Sequence, residues 1–139
     1  MLRIGGYINI LIAVGHIVGL LWADRMFAVT GIGKEMQELS QINTSLPYLL
    51  TIFVAVVFFT FGLYGLSADN KVRKLPFLKP VIFIIAGIYI FRGLGELMAE
   101  TIQGTNSLNE IIYSLFALTI GLLFLVGGLR KWKKRITNA

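Results

Sequence analysis

The chain is 139 residues long, enough for one domain, with 56% hydrophobic residues, 14% charged residues and a net charge of +6. A soluble domain carries about a quarter charged residues, so this balance excludes an ordinary soluble fold. The absence of cysteine removes disulfides, thiolate metal sites and dithiol redox chemistry, including membrane enzymes that reduce quinones through a thiol pair.

The charges are segregated along the chain. Twenty uncharged residues separate Arg3 from Asp24, thirty separate Glu38 from Asp69, and nineteen separate Glu110 from Arg130. A helix needs about 20 apolar residues to cross the hydrocarbon core of a bilayer. The sequence therefore reads as an all-α integral membrane protein, a four-helix transmembrane bundle in a single membrane domain over 1–139. The expected spans are about 4–23, 47–67, 79–99 and 109–129.

The first span follows Arg3 and outruns a signal-peptide core, and "LLWADRM" offers no small-x-small cleavage pattern, so it is expected to stay. Asn9, Ala13, His16, Leu20 and Asp24 share one stripe, the pattern of a helix-packing seam, with Asp24 and Arg25 capping the outer end. His16 stands about 18 Å above the start of the helix, near the midplane. It reads as a hydrogen-bonded packing histidine, or as a group that handles a ligand or protons. A haem or metal ligand would need a dimer, since this is the chain's only histidine.

In the first loop, "GKEMQELSQI" sets Met36, Leu39 and Ile42 or Asn43 on one side, predicting a short amphipathic helix on the outer interface. "TGIGK" before it lacks the rest of a phosphate loop and follows no strand, so its glycines are expected to form a turn. "NTSLP" introduces the second span, with Pro47 suited to a first helical turn. "KVRKLPFLKP" breaks the chain before the third. "QGTNSLNE" precedes the fourth, with Asn106, Ser107 and Asn109 as capping residues.

Ten of the thirteen Lys and Arg residues lie at the N-terminus (Arg3), in the second loop (Lys71, Arg73, Lys74, Lys79) and at the C-terminus (Arg130, Lys131, Lys133, Lys134, Arg135). The positive-inside rule then places both termini and the second loop in the cytoplasm, in the inner membrane of a bacterial cell. Basic residues so placed are orientation signals, and nucleic acid is not expected as a partner.

From that orientation Arg92 stands roughly 20 Å above Lys79 and Glu96 about 26 Å, in the outer half of the core and at its edge. Arg92, Glu96 and Glu100 follow one another at four-residue spacing on one helix face. Near a helix C-terminus negative charge is disfavoured, so a partner across the bundle or a ligand is the expected reason for these carboxylates. The insertion cost of an arginine, about 2.5–3.5 kcal/mol, predicts that Arg92 turns inward to reach Glu96 or another helix; the rival reading is snorkelling to the headgroups. His16, Arg92, Glu96, Asp24, Glu100 and Tyr113 form the candidate ligand-binding set, opening outward. No metal site, cofactor or catalytic residue is expected.

Glycines, including a Gly15–Gly19 pair, read as close helix contacts and as faces for a homo-oligomer, with membrane lipids as the other partner. Trp22, Tyr48, Tyr64 and Trp132 read as interface anchors. "FGLYGLSADNKVRKLPFLK" followed by "IAGIYIFRGL" resembles small uncharacterised bacterial four-helix membrane proteins, loosely similar to the DoxX-like group, over roughly residues 55–95. The resemblance implies a four-helix membrane bundle with Tyr64, Pro76 and Arg92 as motif positions, and this chain departs from the pattern at Asp69 and Asn70. The function expected first is binding a small molecule, ion or lipid, or helping to transport one. The alternatives are an accessory subunit without a ligand and a lipid- or quinone-directed enzyme, for which no nucleophile constellation speaks.

Overall fold

The computed structural model describes residues 1–103 and 108–137. The protein is all-α there. Its elements are α1 (Leu2–Gly19), a 3-10 turn (Leu20–Trp22), α2 (Ala23–Val29), α3 (Gly33–Ile42), α4 (Leu46–Ala68), α5 (Leu78–Gln103) and α6 (Leu108–Thr137).

Four stretches are long and apolar enough to cross a membrane: Leu2–Val29, Leu46–Ala68, Leu78–Ala99 and Leu108–Lys133. Only 22% to 39% of each one's apolar window is buried inside the protein. Phe53, Phe91 and Leu108 are among many large apolar side chains left on the surface. Apolar surface on this scale belongs against lipid. The chain is by these criteria a multi-pass membrane protein.

Each helix runs beyond the span expected for it. The first does not stop at residue 23. A 3-10 turn interrupts it, with Trp22 at φ −132° and ψ 50°, and α2 then continues to Val29. Asp24 therefore lies in the first turn of α2 instead of capping an outer end. Of the expected capping residues of the fourth span, Asn106 and Ser107 lie outside the described residues, and Asn109 is already inside α6.

The chain divides into two compact units, Met1–Ile8 with Leu63–Ala139, and Asn9–Gly62. In the first, α5 and α6 pack antiparallel along their length. A Cβ at Gly93 would stand 2.8 Å from the Ser114 carbonyl oxygen, and one at Gly121 would stand 3.1 Å from the Ile90 nitrogen. Ile82, Ile85, Ala86, Ile120 and Phe124 are buried. The start of α1 joins them: a Cβ on Gly65 would fall 2.8 Å from the Cα of Gly6. Side chains there are excluded by backbone, so these glycines make the close approach possible.

In the second unit, α2 and α3 form a small corner. Met36 is buried with Ala23 and Phe27, and Met26 and Leu39 pack around them. The apolar face of α3 is thus largely taken up by α2, while Ile42 remains 78% exposed. The turn between them closes α2: Ile32 N–H donates to Phe27 O, Gly31 N–H donates to Ala28 O, and Gly31 has φ +78°. This is the Schellman pattern, with glycine in the left-handed position. "TGIGK" is a helix stop.

Asn70 ends α4 the same way. Lys71 N–H donates to Leu66 O and Asn70 N–H to Ser67 O, with Asn70 at φ 59°. Asparagine tolerates that conformation better than most residues. Beyond it, buried Ser67 donates to Arg73 O and accepts from Leu75 N–H, both at 2.9 Å, fixing the loop onto the helix end.

Candidate functional site

Arg92 and Glu96 lie one turn apart on α5, and Ser114 lies on α6 beside them. Arg92 Nε donates to Glu96 Oε1 at 3.2 Å, and Ser114 Oγ donates to Glu96 Oε2 at 3.1 Å. Both oxygens of the carboxylate are therefore held, one from its own helix and one from the neighbour. Gly93, three residues before Glu96, lets the Ser114 backbone come close enough for the second bond. A larger residue at 93 would push α6 away from the carboxylate.

The three side chains differ in setting. Ser114 is 0% exposed. Arg92 and Glu96 side chains are 58% and 40% exposed. Arg92 does reach Glu96, and it does so with more than half of its side chain left exposed, beside exposed Phe91. The physical reason is the position of its partner. The carboxylate is reached by running along the helix to i+4, with no need to cross the core. Glu96 lies seven residues before the end of α5 at Gln103, clear of the last turn in which the helix dipole acts.

The remaining members of the set stand apart from this clip. His16 belongs to the Asn9–Gly62 unit. Its Nδ1 lies 2.8 Å from Ile12 O and donates to that carbonyl, and its ring stands 5.2 Å from that of Phe58 at 42°. Asn9 and Ala13 of the expected seam are both buried. Asp24 is exposed on α2. Glu100 is within α5, but its side chain lies outside the described ones. Tyr113 is exposed on α6, next to Ser114 in sequence.

Ser114 was the member that sequence reasoning missed. A serine between apolar residues is common in membrane helices. The signal available was its place eighteen residues beyond Glu96, on the helix that folds back. No family model matches the chain, and neither do any curated protein or solved structure.

Proposed function

We propose that the protein is a bacterial inner-membrane protein with both termini cytoplasmic. On this reading it binds a small molecule, ion or lipid, or helps to move one, at an outward-facing polar site centred on Arg92 and Glu96. One observation carries the reading. Glu96 is anchored through both oxygens, which fixes Arg92 by its Nε, and no other described contact engages the guanidinium. Its two terminal nitrogens are then available to a carboxylate, phosphate or carbonyl oxygen, the groups that a guanidinium fork suits. A fixed cation within a candidate span is costly unless it serves such a purpose.

A second reading rests on the same carboxylate. With both oxygens satisfied inside the protein, the trio also works as a clip between α5 and α6, as an accessory subunit would need. Native mass spectrometry of protein released gently from its membrane separates the two. Under the site reading, the wild type carries a retained small molecule or lipid, and Arg92→Ala loses it while keeping its helicity and melting temperature. Under the clip reading, neither carries one, and the variant melts lower.

A further inference from the structure

A second polar locus lies in the same unit, far along α6 from the clip. Arg130 lies sixteen residues beyond Ser114, about 24 Å of helix. Here a cavity of about 630 Å³ is lined by apolar Leu2 and Gly127 and by polar Asp69, Asn70, Arg130 and Lys131. Its size falls within the range of about 300–1,000 Å³ typical of small-molecule sites.

Three observations define what fits. The first is charge: among the lining side chains Arg130 and Lys131 outnumber the one carboxylate, Asp69, so the lining is net positive. The second is fixation. Lys131 Nζ donates to Ala68 O at the end of α4, and its ammonium stands 5.9 Å from the Trp132 ring. Its charge is held at the cavity instead of sweeping through solvent. The third is level. The cavity sits where α6 passes from nineteen uncharged residues into the basic run that begins at Arg130. That transition marks the boundary between hydrocarbon and headgroups.

We infer that this cavity is a binding site for the phosphate headgroup of one anionic phospholipid. Arg130 receives the phosphate oxygens on its guanidinium fork, and the fixed Lys131 supplies the second positive charge. The apolar lining at Leu2 and Gly127 takes the glycerol end of the acyl chains. Asp69 opposes the anion and limits its affinity. A diffuse basic surface would lack this arrangement: it would bind without saturation and treat Arg and Lys alike.

The test uses the full chain in detergent with Trp22→Phe, which leaves Trp132 as the only tryptophan. Its fluorescence is followed during titration with short-chain phosphatidylglycerol, short-chain phosphatidylcholine and inorganic phosphate. Phosphatidylglycerol should saturate at one per chain, with the other two at least about tenfold weaker. Arg130→Gln should weaken it about tenfold, the loss of one charge-assisted hydrogen bond. Arg130→Lys should fall between, and Asp69→Asn should tighten binding. Equal binding of the two lipids, phosphate binding as tight as phosphatidylglycerol, unsaturable binding, or an Arg130→Gln variant equal to the wild type would each overturn the inference. Should Arg130→Gln lose its helical circular dichroism, Asp69→Asn decides: tighter binding supports the site, and unchanged or weaker binding refutes it.

Discussion

At Glu96 two hydrogen bonds meet on one carboxylate, and they should not be equivalent. The Arg92 bond is between exposed groups, where such pairs contribute about 0.2–1 kcal/mol. The Ser114 bond joins a buried hydroxyl to a charged acceptor, a class that contributes about 1.5–3 kcal/mol. Ser114→Ala should therefore lower the melting temperature, whereas Arg92→Ala should leave it close to that of the wild type. A double-mutant cycle over Glu96 and Ser114 should show a coupling of at least about 0.5 kcal/mol, as expected for residues sharing one bond. Strict additivity in that cycle would mean that the bond contributes nothing in the membrane. Ser67 invites the same kind of test. Its hydroxyl both donates to Arg73 O and accepts from Leu75 N–H in a buried position. Ser67→Ala should cost about 1–3 kcal/mol, because it strands a backbone donor. Urea denaturation in mild detergent reads the difference, and a variant as stable as the wild type would show that water replaces the hydroxyl.

Among the elements, glycine has two opposite roles. A methyl group at Gly65 would meet the backbone of Gly6 and Leu2, at 2.8–2.9 Å, whereas at Gly95 it would meet nothing within 4 Å. Gly65→Ala should cost about 1–3 kcal/mol as an overpacked contact. Gly95→Ala should be neutral or stabilising, by up to about 1 kcal/mol, since alanine suits a helix interior better. Thermal melts of the two variants check the contrast, and a reversed order would contradict the close backbone contact of α4 with the start of α1 at Gly65 and Gly6. From composition alone the two glycines look the same. Spacing does not say which face of a membrane helix meets protein, because lipid is as apolar as a helix neighbour. Gly15 shows the consequence: half of an expected small-xxx-small contact, it has open space around it. Three of the four spans were legible as uncharged runs of nineteen to thirty residues, which permit few other structures; the third, with Arg92 and Glu96 inside it, was legible from the apolar stretch that precedes Arg92. The break at Leu20–Trp22 was not, since "GLLWAD" contains no proline and its single glycine precedes the turn. Asn70 was the reverse case. The left-handed backbone there, at φ 59°, suits asparagine, a residue type that the sequence displays openly.

For the whole molecule, both proposed sites depend on which side of the membrane each end of α6 faces. Outward exposure of Arg92 and Glu96, and inward exposure of the Arg130 cavity, are one claim about orientation. The chain contains no cysteine, so single introduced thiols report without background. In intact cells, cysteines at Ser45 and Ser107 should react with a membrane-impermeant maleimide, and one at Asn70 should react only after permeabilisation. That pattern would place the loop carrying Lys71, Arg73 and Lys74 in the cytoplasm, as their charge requires. Labelling at Asn70 in intact cells, with Ser45 and Ser107 protected, would contradict the account, turning the Arg92 site inward and the Arg130 cavity outward.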